Sequence, residues 1–364
     1  MNFGSDNQSG VSSQVLESLI TASSGNASSY GNDEWTKQAE HALSEAFDHK
    51  VRDFFVATGT AANCLALSAL AKPWDAILCH SQAHIAIDEV SAPELFTGGA
   101  RLIPVDTDSG KITVKDFQDV LNRLPADRPH NVSVSALSVT QATENGLVYD
   151  SSELRQLANV AHERGIYVHM DGARFSNAVA SLGCEPADIS WKAGVDVLCL
   201  GASKNGALAA EAVVFFNDAL ADDFDMRRKR AGQLISKGRL FGSQFTAWLK
   251  DDHWLELARG ANDTAQYLSA ALRRFDAIRP TWPVQANEVF VAMNRDLFGR
   301  LKSAGVRCSD WYPNSLPKSI TLRDDELPVR FVTSWSSTRS EVDALAKLLA
   351  AELKAGTDVE QLLA

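Results

Sequence analysis

Val195-Asp-Val-Leu-Cys-Leu-Gly-Ala-Ser-Lys204-Asn-Gly206 is the stretch on which the fold turns. Its apolar, β-branched run predicts a strand buried on both faces, as in a parallel sheet. The run ends at Gly201, Lys204 follows at once, and a second apolar run, Glu211-Ala-Val-Val-Phe-Phe216, comes next. Lys204 therefore lies on a loop between two core strands, where its ammonium must be exposed or paired, because burying it bare is costly. Two readings stand side by side. Most lysines after strands are simply solvated; the alternative is a Schiff-base lysine, whose neutral amine attacks a carbonyl cofactor. A Walker-type phosphate lysine is excluded, since Gly201-Ala-Ser-Lys204-Asn205 lacks the G-x-x-x-x-G-K-[ST] pattern.

Two other stretches decide between those readings. Gly165-Ile-Tyr-Val-His-Met-Asp171-Gly-Ala-Arg174 follows an amphipathic helix pattern over Ser151 to Arg164, as in a βαβ unit. Ile166 to Met170 is the expected strand, and Asp171 sits at its carboxyl end, where open α/β sheets place ligand-binding groups. Alone, such an aspartate is as readily a turn cap. Paired with a lysine about 30 residues on, it matches the arrangement of pyridoxal 5′-phosphate (PLP) enzymes, in which a carboxylate keeps the pyridine nitrogen protonated and the ring an electron sink. The third stretch is Asp53-Phe-Phe-Val-Ala-Thr58-Gly59-Thr60-Ala-Ala-Asn63, a strand, a small-residue turn and a helix from Ala61 to Leu70. Amides at a helix N-terminus bind phosphate. Thr58 and Thr60 add hydroxyl donors, and Gly59 permits close approach of the backbone. An ordinary N-cap would explain this turn by itself; the three elements in this order argue for a PLP site.

The chain resembles the threonine aldolase family of PLP enzymes, in the aspartate-aminotransferase superfamily (fold type I). It is particularly similar to the phenylserine aldolase and low-specificity L-threonine aldolase branch. The matching stretches are Ser5-Asp-Asn, Ser29-Tyr-Gly-Asn-Asp-Glu34, Thr58-Gly-Thr-Ala-Ala-Asn63, His84-Ile with Asp88-Glu89, and Thr140-Gln-Ala-Thr-Glu144. To these add His169-Met-Asp-Gly-Ala-Arg-Phe-Ser-Asn177, Trp191-Lys-Ala-Gly-Val-Asp196, Ser203-Lys-Asn-Gly206 and Val329-Arg-Phe-Val-Thr333. They span nearly the whole chain.

That resemblance implies an α/β large domain with a mostly parallel, seven-stranded sheet and a small C-terminal α+β domain. It implies cleavage of L-β-hydroxy-α-amino acids to glycine and an aldehyde, with another PLP reaction on the same fold, such as β-elimination or transamination, as the alternative. Lys204 would carry PLP, next to Ser203, and Asp171 would face its ring nitrogen. Arg174 would hydrogen-bond the phenolic oxygen of the cofactor and contact substrate. The ring of His84 would stack on the pyridine and take part in proton transfer, and Arg239 would approach the phosphate. Ser5 and Arg330 would hold the substrate carboxylate. Many members have a histidine where this chain has Gln141, thought to contact the substrate hydroxyl. Glutamine can hydrogen-bond but cannot act as a base, so the group that removes the hydroxyl proton stays open, as does the preference between threonine and phenylserine. The resemblance also implies a homodimer or homotetramer, with Tyr30 and Gly31 near the dimer contact.

Composition bounds the rest. A chain of 364 residues has room for two domains with real cores. A net charge of −11 argues against nucleic acid or an anionic membrane as partner. Cys64, Cys79, Cys184, Cys199 and Cys308 are scattered, odd in number and without C-x-x-C spacing, which predicts reduced cysteines and a cytoplasmic protein. Met1-Asn-Phe-Gly-Ser-Asp-Asn is too polar for a signal peptide, no apolar run is long enough to span a bilayer, and no ligand cluster indicates a metal. Residues 1–30 are rich in Ser, Asn and Gly, which on composition alone suggests a flexible tail; the resemblance implies an ordered arm near the site. Residues 31–245 are expected to form the PLP-binding domain. Residues 246–364 are expected to form the small domain, with Phe241 to Phe275 as one long joining helix. Arg330 lies within an apolar strand, an unusual place for a charge unless it is paired. Either a structural salt bridge or a bidentate grip on a carboxylate would explain it.

Overall fold

The computed structural model describes residues 1–125, 127 and 129–363, with side chains described up to residue 354. Seven strands form the large sheet: β1 (Arg52–Val56), β2 (Asp75–His80), β3 (Arg101–Val105), β4 (Ser133–Thr140), β5 (Tyr167–Gly172), β6 (Val197–Gly201) and β7 (Glu211–Phe215). They lie in the order β1-β7-β6-β5-β4-β2-β3. All neighbours are parallel except β7, which runs antiparallel to both β1 and β6. This is the mostly parallel, seven-stranded sheet that the resemblance implies.

The apolar runs are continuous because the sheet is covered on both faces. Along β6, Leu198 and Leu200 enter one core while Val197 and Cys199 enter the other. The same alternation puts Val214 of β7 on the first face and Val213 and Phe215 on the second. Helix Gly59–Leu70 covers the second face and is buried nearly all round. Helices Glu34–Ala46, Ser151–His162 and Arg239–Leu249 contribute to the first.

The strand directions gather one rim. Asp171 of β5 is in register with Thr140 of β4 and Cys199 of β6. Because β7 is antiparallel, its first residue, Glu211, pairs with Val56 and Gly201 at the carboxyl ends of β1 and β6. Crevices outside that rim are where open α/β sheets bind ligands. Close approach sets two glycines here. A Cβ on Gly201 would lie 2.9 Å from the Ala173 backbone, and Gly206, which closes the Lys204 turn, has φ +95° and leaves 2.7 Å to Leu257 for a Cβ.

The second sheet is antiparallel, in the order β10-β11-β9-β8, from β8 (Ile278–Pro280), β9 (Glu288–Asn294), β10 (Ser309–Asp310) and β11 (Glu326–Val332). Helices Arg295–Ser303 and Arg339–Leu363 pack with it around Val291, Met293, Leu301, Val329 and Phe331.

Two expectations change. The N-terminal arm is not a loose tail: Phe3 is fully buried, exchanges backbone hydrogen bonds with Arg307 and Val332, and packs edge-on against Phe331. Phe241 to Phe275 is not one helix. Helix Arg239–Leu249 ends in a turn over Lys250–Asp252, and helix His253–Leu272 starts afresh. Asp251 and Asp252 are both left-handed, with φ of 53° and 56°, a conformation short polar side chains tolerate. Apolar periodicity runs on across this break, so periodicity alone does not reveal it.

Candidate active site

Two adjoining cavities of about 220 and 260 Å³ open at the rim. The first is lined by Gly59 and Thr60 at the helix N-terminus and by Asp171, Ser203 and Lys204. Asp171 is 5% exposed, and its orientation is set on both oxygens. Asn63 donates to Oδ2 at 2.8 Å and the Ala173 amide to Oδ1 at 3.0 Å. Asn63 lies one turn into the phosphate-type helix, so the same helix that offers its N-terminus also aims the carboxylate. A Cβ built on Gly59 meets nothing within 4 Å, which leaves open space in front of the first amides. Thr58 is not brought to the cavity, because its hydroxyl caps the helix by accepting from the Ala61 amide at 3.1 Å.

Buried titratable groups surround this cavity. The His84 Nδ1 lies 2.9 Å from Oε1 of Glu89, which is 4% exposed and also accepts from Asn63 at 3.0 Å. That hydrogen bond raises the His84 pKa against the opposing pull of burial, with Asp171 adding to the rise. Burial pushes the Glu211 carboxyl up to about 7, while hydrogen bonding to Ser203 and the Lys204 charge hold it back. Behind Asp171, His169 is fully buried between Ser138 and Cys199, and burial lowers its pKa to about 4. Its ring is therefore neutral at pH 7.

The second cavity is lined by Ser5, Trp311, Tyr312 and Arg330 together with His84, Asp88 and Glu144. The Arg330 guanidinium stacks 3.9 Å from the Trp311 ring centroid, and its Nη1 lies 3.5 Å from Glu288. Its Nε is buried without a hydrogen-bond partner among the described residues. Glu288 also reaches Arg174 at 3.5 Å, and Arg174 is gripped by both oxygens of Asp6 at 2.7 and 3.1 Å. Burial disfavours the Asp6 charge, but Arg174, Lys204 and the Asn287 amide bring its pKa down to about 2. This chain of charges ties the arm, the large sheet and the small sheet together.

Besides Thr58, two residues named from the sequence are elsewhere. Gln141 is fully buried, with its side chain turned to Tyr149: Oε1 accepts from the amide at 3.0 Å and Nε2 donates to the carbonyl at 2.8 Å. It is spent on the chain itself. Arg239 donates to the carbonyl oxygens of Ser24 and Gly25 at 3.4 and 3.1 Å, which pins the arm instead of lining a cavity. Sequence reasoning assigned no role to Asn63, Glu89, Glu144, Asp6 or Glu288. Asn63, Glu89, Glu144 and Asp6 do lie in the stretches that carry the resemblance, and Glu288 is an acid in an apolar strand, two positions in register from Arg330, since Val332 pairs with Glu288 and Arg330 with Phe290.

Comparison with known proteins places this architecture. The family model described as beta-eliminating lyase matches residues 2–296. A low specificity L-threonine aldolase of Pseudomonas aeruginosa is 39% identical over 95% of this chain and 96% of its own length. Another, from a Pseudomonas species, is 38% identical over 97% and 98%. The solved threonine aldolase of Leishmania major superposes with a TM-score of 0.89 at 27% identity, covering 96% of this chain and 98% of that one. With the strand order, the Asp171–Lys204 rim and a match over most of its length, this chain belongs to the beta-eliminating lyase family.

Proposed function

We propose that this chain is a PLP-dependent aldolase that cleaves L-β-hydroxy-α-amino acids of the threonine or phenylserine type into glycine and an aldehyde. The observation that carries this reading is one continuous pair of cavities with Lys204 and Asp171 in the first, Arg330 and Ser5 in the second, and Lys204 and His84 lining both. The names of the relatives point the same way.

The residues present fit PLP. Lys204 is the amine for covalent attachment, Asp171 the carboxylate for the ring nitrogen, and Gly59 and Thr60, with open space before them, the phosphate seat. Ser203, His84 and Arg174 also line this cavity. When bound, PLP supplies an electron sink for the pair released from Cα. Asp171 sustains that sink only while it remains aimed, which is the task of Asn63. Arg330, with an unused Nε, and Ser5 hold the substrate carboxylate, which decides which bond at Cα stands in line for cleavage. Trp311 and Tyr312 give the substrate end an aromatic wall, which supports acceptance of phenylserine.

The same reading extends to organisation. The arm would be residues 1–30, the PLP-binding domain 31–245 and the small domain 246–364. The protein would be cytoplasmic and a homodimer or homotetramer, with the half-exposed Tyr30, held over Lys229 on a left-handed backbone, near the contact between copies. Among the described residues no helix is long and apolar enough to cross a membrane.

The test is an absorbance spectrum of wild type and Lys204→Ala with PLP, followed by separate addition of L-threonine and L-phenylserine. The expected result is a borohydride-reducible cofactor band in the wild type only, with aldehyde and glycine released in equal amounts. Pyruvate, ammonia or a keto acid in their place would move the chain to elimination or transamination, and absence of any band would remove the cofactor assignment.

A further inference from the structure

Five residues line both cavities, and so stand where the cofactor end meets the substrate end: Asn7, His84, Glu144, Arg174 and Lys204. In the reaction proposed above, Cα sits at the cofactor and its carboxylate at Arg330, so the β-hydroxyl, two bonds from Cα, comes within reach of groups that line both cavities. Something there must take the hydroxyl proton. Asn7 has no basic group, and an arginine does not deprotonate in proteins. Lys204 already has a task here, exchanging places with the substrate amine on the cofactor. His84 has its Nδ1 on Glu89, a pairing that raises its affinity for a proton, and its task in this scheme is the proton delivered at Cα. Gln141 faces Tyr149. Glu144 remains.

We propose that Glu144 is the catalytic base for the β-hydroxyl, and that His84 and Thr140 hold it in place for that step. Its Oε1 accepts from the His84 backbone amide at 2.9 Å and from the Thr140 hydroxyl at 2.9 Å. The carboxylate is thus fixed between the end of β4 and the start of the short helix His84–Ile87. In the step, the Glu144 carboxylate takes the hydroxyl proton, the oxygen's electron pair becomes the second bond of the aldehyde carbonyl, and the Cα–Cβ bond breaks. His84 delivers one proton to the pair left at Cα, which yields glycine; Glu144 gives the hydroxyl proton to water and water restores the proton on His84, so the protons balance. Burial raises the Glu144 carboxyl to about 7, with hydrogen bonds from its own backbone, His84 and Thr140 opposing and the Asp171 charge reinforcing the rise. A base with that affinity is matched to neutral pH. The other charged groups around the junction are His84, Asp88 and Glu89 in and just after the short helix, Asp171 and Arg174 from β5 and its turn, Lys204, Glu211 from β7, and Arg330 from the small sheet.

This inference rests on the aldolase reading, and the experiment separates the two. Wild type, Glu144→Gln and Glu144→Asp, each loaded with PLP, are compared in three measurements. These are aldehyde release from L-threonine and L-phenylserine against pH, exchange of the glycine α-hydrogens in heavy water by proton NMR, and the cofactor absorbance band. Glycine has no hydroxyl, so its exchange does not call on this base. Glu144→Gln is expected to slow cleavage by about 10²–10⁴-fold and to lose the rising limb of the pH profile near 7, with glycine exchange within about threefold of wild type. Glu144→Asp should recover part of the cleavage rate with the limb shifted, and both variants should keep the absorbance band. Cleavage that survives Glu144→Gln, or cleavage and exchange that fall together, would overturn the assignment. A wild type that exchanges glycine hydrogens but releases no aldehyde would remove the aldolase reading, and this inference with it.

Discussion

The two ends of the paired cavity are built by different means. At the end proposed to hold the cofactor, Asp171, Lys204, Gly59 and Thr60 come from strand ends and turns of a single sheet, placed by backbone hydrogen bonds in register. At the carboxylate end, Ser5, Trp311 and Arg330 come from the arm and the small sheet, and side-chain charges hold them: Asp6 on Arg174, and Glu288 on Arg174 and Arg330. Sheet geometry is over-determined by many bonds, whereas an ion-pair chain depends on each member. Substitutions at the first end should therefore act on chemistry, and those at the second on binding and on the coupling of the two sheets.

The largest contrast should come from Lys204→Ala, which removes the attachment amine. Aldehyde release is expected to fall by about 10³-fold or more, with thermal stability close to wild type. If turnover stays within tenfold, the cofactor end has been misassigned. Next is Arg330→Ala. Loss of a hydrogen-bonded charge partner is worth about 2–5 kcal/mol, so kcat/KM should drop by roughly 30- to 4,000-fold, mostly through KM. A fall confined to kcat would break the assignment of this end to binding.

Glu288→Gln tests the ion-pair chain itself. It withdraws the charge shared by two buried arginines, and since Arg174 keeps Asp6, the expected loss is about 3 kcal/mol of folding stability, read by denaturant unfolding. An unchanged unfolding curve would mean that packing, and not charge, joins the sheets. Trp311→Ala removes the stack on Arg330, worth about 0.5–2 kcal/mol, so KM should rise by about 2- to 30-fold at nearly constant kcat.

The smallest effect distinguishes the ends by pH. Glu211 has a folded pKa near 7, above its ordinary 4.5, so the native state holds more protons and its contribution weakens stability as pH rises from about 5 through 7. Asp6 is the reverse. Its folded pKa near 2 lies below 3.8, so its stabilisation is complete above about pH 4 and is lost as pH falls toward 2. Melting curves of the cofactor-free protein should show Glu211→Gln flattening the first slope and Asp6→Asn the second, each by a few degrees. Parallel slopes in both variants would show that neither carboxyl titrates in its stated window.

Whatever was local could be read from the sequence. Asp171 and Lys204 each close an apolar run, Gly59 and Thr60 open a helix after one, and Arg330 interrupts one. Hydrophobic period and chain order carry that information without any contact being known. Gln141 shows the limit: its motif marks a site position, yet a hydrogen-bond pair with Tyr149, eight residues on, turns it away. Arg239 sits beside a basic run in sequence and binds the arm, more than 200 residues away, in space.

Sequence by itself determined the individual strands and turns that carry Asp171, Lys204, Gly59 and Thr60 and their order along the chain, because strand burial and turn chemistry are short-range properties; the seven-stranded sheet came from the family resemblance. Only the tertiary structure decided which acids matter. Glu144 stands in a matching stretch with no role attached, and becomes a candidate base because β4 and the short helix at His84 converge on it. Asp6 and Glu288 hold two arginines only because the arm and the small sheet fold back over the rim. The affinity of a carboxyl for its proton depends on the charges and the solvent it is left with, and these are assembled from segments that the linear order keeps apart.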